Sequence, residues 1–131
     1  MNKTPIYSDG DFYLIRHEST IPWVILHLHE EYRELSDLPP ALRRRLCDLL
    51  VLIEETMREY YRPHKINIAS FGNYLPRQHW HIMARFEEDS HFPEPMWGPK
   101  QREGALSLPD FEPFALGLTE RLRQAAQDAR E

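Results

Sequence analysis

Short apolar runs and alternating stretches mark four strands along the chain. Residues 12–16 (FYLIR) and 23–29 (WVILHLH) read as the first two, with STIP at 19–22 as the hairpin loop between them. On the second strand Trp23, Ile25, His27 and His29 share one face, and Val24, Leu26 and Leu28 share the other. Leu42, Leu46, Leu49, Leu50, Ile53 and Met57 then recur at spacings of three and four, the stripe of an amphipathic helix. Pro39 and Pro40 suit its first turn, Ser36 or Asp37 is the expected cap, and Pro63 stops it. Residues 65–69 (KINIA) predict a third strand, with Ile66 and Ile68 on one side and Asn67 on the other. After the loop 70–76 (SFGNYLP), residues 78–86 (QHWHIMARF) alternate again. Trp80, Ile82, Ala84 and Phe86 form the apolar face, and His79, His81, Met83 and Arg85 the opposite one. A Pro- and charge-rich stretch, 87–104, cannot stay regular for long. Residues 110–129 predict a polar, Ala-rich helix with Leu116, Leu118 and Leu122 as its apolar contacts.

The order strand, strand, long helix, strand, strand, tail, helix predicts an α+β fold. Its sheet is antiparallel, and the long helix packs across one face. A length of 131 residues implies one domain, 1–131. Sixteen Lys and Arg against 21 Asp and Glu give a net charge of −5, which argues against a nucleic-acid polymer as partner. A local pocket for one nucleotide is compatible with that charge. The single cysteine, Cys47, excludes an intrachain disulfide and a Cys-based zinc finger, and fits a reducing compartment. The longest apolar run, Leu49 to Ile53, falls far short of the roughly 20 residues that cross a bilayer. The segment MNKTPIYSDG has no signal-peptide core. A cytoplasmic protein with no membrane partner is expected.

The seven histidines are what composition does not explain. His79 and His81 lie two apart on one strand face, so both imidazoles project the same way. Arg77 has the same parity if the strand extends that far, and a loop with Gly72 and Asn73 precedes it. An ordinary polar strand face would produce the same alternation. His27 and His29 repeat the pattern, and for them a structural role is the simpler reading. Four histidines on neighbouring strands, His27, His29, His79 and His81, would also suit a zinc site. Spacing alone leaves open a functional surface of Arg77, His79 and His81, an ordinary polar face and a zinc site.

Longer context favours one of them. The stretch 67–98 (NIASFGNYLPRQHWHIMARFEEDSHFPEPMWG) resembles the histidine triad (HIT) family of nucleotide hydrolases and transferases, whose signature is His-φ-His-φ-His-φ-φ with φ apolar. Arg77, His79 and His81 align with the three histidines. The likeness is strongest to a bacterial branch with a Gly-Asn loop (Gly72-Asn73), a Pro (Pro76), a variant first position, His-φ-His-φ-φ-Ala-Arg-Phe (His79 to Phe86), an acidic stretch (Glu87 to Asp89) and a Pro-x-Pro-φ-Trp-Gly tail (Pro93 to Gly98). Residues 21–26 (IPWVIL) and 34–37 (ELSD) look like that branch's second strand and helix entry. The departures are Arg77 at the first triad position, where the branch pattern suggests Gln, and Gln78 at an apolar position.

The resemblance implies a HIT-like antiparallel sheet with the long helix on one face and a C-terminal helix. It implies a mononucleotide or dinucleotide substrate, no cofactor, no metal, and a homodimer. His79 would attack the α-phosphorus to form a covalent nucleotidyl-histidine that water then cleaves. His81 would donate to a phosphate oxygen. Arg77, Asn67, Asn73 and Gln78 would help hold the substrate. Arg77 brings a permanently charged planar fork suited to phosphate and cannot act as an acid near neutral pH. It would favour phosphoanhydride substrates, such as dinucleoside polyphosphates, over phosphoramidates. The rivals are a nucleotide-binding module that has lost turnover through Arg77, and a histidine-rich metal-binding protein.

Overall fold

The computed structural model describes residues 4–129. Five strands form one sheet: β1 (Tyr7–Ser8), β2 (Phe12–Arg16), β3 (Trp23–Leu28), β4 (Lys65–Ala69) and β5 (His79–Arg85). Their order across the sheet is β1-β2-β3-β5-β4, with every pairing antiparallel. The expected α+β arrangement is what forms, with β1 added at one edge. A two-residue strand leaves no periodicity to read, so nothing in the sequence marks it.

Helix α1 (Pro40–Tyr61) begins with Pro40, whose missing N–H costs nothing in a first turn. Neither Ser36 nor Asp37 caps it. Both lie in a separate 3-10 turn, Leu35–Asp37, where the Asp37 carboxylate accepts the Glu34 N–H at 3.0 Å. The residue before α1 is Pro39, in extended backbone and without a side-chain cap. At the other end Arg62 takes the left-handed conformation (φ 50°) and Pro63 follows, so the helix cannot continue. The leucine stripe faces the sheet as its period requires. Leu46, Leu49, Ile53 and Met57 are buried, and Leu42 and Leu50 pack at the margin.

Helix α2 (Phe111–Asp128) lies on α1 and completes the same core with Phe114, Leu118 and Leu122. Leu116, expected as an apolar contact, is exposed. It sits two residues from Leu118, about 200° around the helix, and so points away. Phe12, Leu14, Val24, Leu26, Leu28, Ile66, Ile82 and Ala84 close this core from the sheet side. Ile68 shares the face of Ile66 but is exposed on the edge strand β4.

The other face of the sheet has no helix. The segment 86–110 crosses it without regular structure and places Met96 and Leu106 against Ile21, Trp23, Ile25 and Met83. An ion pair inside the molecule pins this segment. Arg85 and Asp89, 2% and 0% exposed, meet in a two-point contact of 2.9 and 3.1 Å. The second Asp89 oxygen contact set is backbone: the N–H groups of Phe86, His91 and Phe92 donate to the carboxylate at 2.8–3.0 Å. Arg85 also donates to the Glu94 carbonyl at 2.7 Å and to Asn67 Oδ1 at 2.8 Å. Burial alone would raise the Asp89 pKa. The Arg85 guanidinium and the three backbone donors outweigh it and hold the group at about 2. Among the described residues no helix is long and apolar enough to cross a membrane.

Candidate active site

The register of β3 against β5 sets His27 opposite His79 and Ile25 opposite His81. Alternation therefore brings three imidazoles onto the helix-free face. The rings form a row: Tyr13 stacks on His27 (4.7 Å between centroids, 6°), His27 on His79 (5.3 Å, 10°), and His79 meets His81 edge-on at 5.5 Å. Trp97, from the crossing segment, continues it at 5.0 Å from His81. A cavity of about 290 Å³ opens beside His79 and His81, lined otherwise by the 71–75 loop and Trp97. That loop turns on Gly72, whose φ of 71° would strain any residue with a Cβ. Ser70 fastens its start to the His79 carbonyl at 2.7 Å.

Hydrogen bonds fix the two imidazoles in opposite tautomers. His79 Nδ1 lies 2.9 Å from the Arg77 carbonyl, which can only accept, so Nδ1 carries the hydrogen. In neutral His79 the Nε2 lone pair is then free. His81 Nδ1 lies 3.0 Å from the indole Nε1 of Trp23, which can only donate, so Nδ1 is the acceptor. Its hydrogen is therefore on Nε2. Burial, with His79 and His17 adding positive potential, pushes the His81 pKa down to about 4 and keeps this ring neutral. His27 is pushed down to about 4 as well, by burial first and then by His79, Arg77 and His81. Among the described residues its Nδ1 has no hydrogen-bond partner and is buried.

The other expected site residues are distributed unevenly. Asn73 lines the cavity with His79 and His81. The Arg77 side chain does not. Its guanidinium donates to Glu31 at 3.0 Å and to the Leu28 and His29 carbonyls at 2.7 and 3.4 Å, clamping the end of β3. The phosphate-gripping fork expected there is spent on the protein, and the expected preference for anhydrides loses its geometric basis. What Arg77 gives the site is its backbone carbonyl. Gln78 bridges the Arg33 carbonyl and the Trp80 indole, and Asn67 accepts from Arg85, so both amides are occupied structurally. Sequence reasoning overlooked Trp23 as a partner of His81. Its parity on β3, matching His27, was the available signal. It also left Trp97 unplaced, because no periodicity governs the crossing segment. Among the described residues no group of three or more His, Cys, Asp or Glu is arranged to hold a metal ion.

The HIT domain family model matches residues 1–88. The chain belongs to the HIT family. Solved structures agree on the fold. A histidine triad protein from Sinorhizobium meliloti is 28% identical over 88% of this chain and 87% of its own, with a TM-score of 0.72. One from Marinobacter aquaeolei is 26% identical over 96% and 90%, with a TM-score of 0.70. One from Bradyrhizobium japonicum, 24% identical over 89% and 88%, superposes with a TM-score of 0.74 and supports the fold alone. No curated protein matches the chain. HIT membership suggests a nucleotide-binding hydrolase or transferase.

Proposed function

We propose that this HIT protein is a nucleotide phosphohydrolase or nucleotidyl transferase acting through a nucleotidyl-histidine at His79. The observation that carries the reading is the pair of opposite tautomers beside one cavity: a lone pair on His79 Nε2 next to a hydrogen on His81 Nε2. In the first step the His79 Nε2 lone pair forms a bond to the α-phosphorus. The bond from phosphorus to the leaving group breaks, and the leaving group departs with the electron pair, a phosphate as its anion and an amine after taking a proton from solvent. His81 Nε2–H stabilises the charge growing on a non-bridging oxygen, a donor already in place before the reaction. The Arg77 carbonyl meets the positive charge that His79 acquires. Water then attacks phosphorus and gives its proton to solvent, the P–N bond breaks and its electrons return to His79, releasing nucleoside monophosphate. Splitting one displacement into two is the gain of covalent catalysis. Dinucleoside polyphosphates and nucleoside phosphoramidates are the substrate classes with a suitable phosphorus. The reading takes the protein as cytoplasmic and as a homodimer; among the described residues the outer side of the edge strand β4 has no strand beside it, which leaves that edge for a second copy.

The test is intact-mass detection of an acid-labile nucleotidyl adduct after rapid quenching with adenosine phosphoramidate or diadenosine polyphosphate. His79→Ala is expected to fold, because the side chain lies on the helix-free face and its loss opens no core cavity. It should lose the adduct and keep less than about 1% of the wild-type rate, because nothing else in the site supplies the attacking lone pair. An adduct that survives in folded His79→Ala would remove this residue from the role. Nucleotide binding by the wild type with neither adduct nor turnover would make the protein a binding module instead.

A further inference from the structure

His27 is the one imidazole of the row that the proposed reaction does not use. It is only 7% exposed, yet no hydrogen bond among the described residues reaches either of its ring nitrogens. A side chain kept merely to fill that space would do better as a phenyl ring, because burying an unpaired polar group costs stability. Its place in the sheet gives it a use. Position 27 of β3 pairs with position 79 of β5, so the two side chains rise side by side from the helix-free face. Their ring planes agree within 10° at 5.3 Å. Tyr13, parallel to His27 within 6° at 4.7 Å, holds the ring from its other side. In any histidine Nδ1 is the nitrogen nearer the backbone and Nε2 the outer one. The outer edges of His27 and His79 therefore stand next to each other.

The hydrogen of neutral His27 has one favourable place. On the buried Nδ1 it would be an unmet donor. The Arg77 guanidinium donates at 2.7 Å to the carbonyl of Leu28, the residue after His27, and puts a permanent positive charge beside this ring. A positive neighbour favours a lone pair on the enclosed nitrogen. Nε2 has no partner among the described residues and is not one of the buried atoms, so it is open to water or to a ligand. The hydrogen belongs on Nε2, the same tautomer as His81.

A phosphorus bonded to His79 Nε2 carries two non-bridging oxygens, spread around the new P–N bond. His81 stands 5.5 Å from His79 along β5, and His27 stands 5.3 Å from it across to β3. Two outer N–H groups thus flank the phosphoryl group from different directions, one for each oxygen.

We propose that His27 Nε2–H donates a hydrogen bond to the second non-bridging oxygen of the transferred phosphoryl group, while His81 holds the first. This rests on the reading of His79 given above. His27 is then a catalytic residue, supplied by β3 and not by the strand that carries His79 and His81. Both donors are fixed before charge develops on the oxygens, which is where such donors stabilise most.

The experiment measures wild type, His27→Phe, His27→Gln and His81→Phe with adenosine 5′-phosphoramidate and with its two α-thio diastereomers. In each diastereomer sulfur, a weak hydrogen-bond acceptor, replaces one of the two non-bridging oxygens. His27→Phe keeps a flat ring between Tyr13 and His79 but has no donor. Its kcat on the oxygen substrate should fall on the order of 10²-fold with KM little changed, the scale for one preorganised donor. His27→Gln, whose amide nitrogen reaches about as far as Nε2, should recover much of that loss. The penalty for sulfur should shrink in His27→Phe for one diastereomer only, and in His81→Phe for the other. Wild-type kcat in folded His27→Phe would show that the ring only fills the row, and would overturn the proposal. Equal losses on the oxygen substrate and both thio diastereomers, as a purely structural defect produces, would overturn it too. If wild type turns over none of these substrates, the His79 reading fails on its own, and nitrogen-15 NMR of the histidine rings tests His27 directly. A hydrogen on Nε2, with that nitrogen shifting when adenosine 5′-monophosphate is added, supports the contact. A hydrogen on Nδ1, or an unmoved Nε2, overturns it.

Discussion

The helix-covered face of the sheet and the histidine face come from the same strands, one residue out of phase, and they are held by different forces. On the first, Leu14, Val24, Leu26 and Ile82 are closed over by the leucine stripe of α1 and by Phe114 and Leu118 of α2. Burial of apolar area holds it together, and no single contact is indispensable. On the second, an irregular segment is held by one buried ion pair that also satisfies three backbone N–H groups. Few groups do most of the work there, and the rings it covers are the ones left open to a ligand. A face that must admit a substrate cannot be sealed with leucines. Its covering segment is fixed at a few polar points instead.

That contrast can be broken most severely at Asp89. Asp89→Ala leaves Arg85 buried without its partner and three backbone donors unmet, which costs about 3–5 kcal/mol for the charge alone. Chemical denaturation should show the loss. Activity should fall further than the unfolded fraction accounts for, because Trp97 is no longer held. Leu26→Ala is the counterpart on the helix-covered face. It should cost about 2–5 kcal/mol through transfer and cavity terms. The activity per folded molecule should stay near wild type. Similar activity losses per folded molecule in both variants would erase the proposed division between the faces.

The pH response separates the faces next. His27 and His81 titrate at about 4 in the folded protein, while in the unfolded chain each returns to roughly 6.5. Between those values the unfolded chain binds protons that the folded chain refuses. Stability therefore falls as pH drops from about 6.5 toward 4, by up to ~1.4 kcal/mol per pH unit per histidine, and then levels. Asp89, held at about 2, adds its own loss only as pH falls below about 4. Urea denaturation at several pH values in the range should show the slope, and His27→Phe should remove one proton's share of it. An unchanged slope in His27→Phe would mean that His27 is not kept neutral by the fold.

The smallest expected effect is at Trp23. Trp23→Phe keeps the packing against Met83 but removes the donor that fixes the His81 tautomer. Stability should change by about 1 kcal/mol, the usual scale of one hydrogen bond. The kcat should fall by about tenfold, equivalent to ~1.4 kcal/mol, with KM little changed. A change in KM alone would place the Trp23 contribution in substrate binding.

The elements whose spacing is dictated by burial were legible beforehand. The leucines of α1, the alternation of β5 and the parity of His79 and His81 all follow from periods of 3.6 and 2, because a chain can bury an apolar face in few ways. The resemblance over residues 67–98 pointed to the HIT family, and the family model that matches residues 1–88 agrees. Capping was misread, because Ser36 and Asp37 look like helix caps, and only the 3-10 turn with Pro39 after it decides otherwise.

Arg77 shows where sequence stops. Its residue type suits phosphate, but β5 begins at His79, so no strand alternation orients it, and its guanidinium binds Glu31 and the Leu28 carbonyl at the end of β3. Long flexible side chains go to whichever acceptors the tertiary structure brings nearest, and those lie 46 to 49 residues away in the chain. The same holds for Trp23 on His81, 58 residues apart, and for Trp97 at the cavity mouth. Local periodicity determined which face His27, His79 and His81 take. Only the pairing of β3 with β5, which brings Trp23 to His81, decided that ring's tautomer, and a segment pinned by Arg85 and Asp89 decided that Trp97 stands beside it.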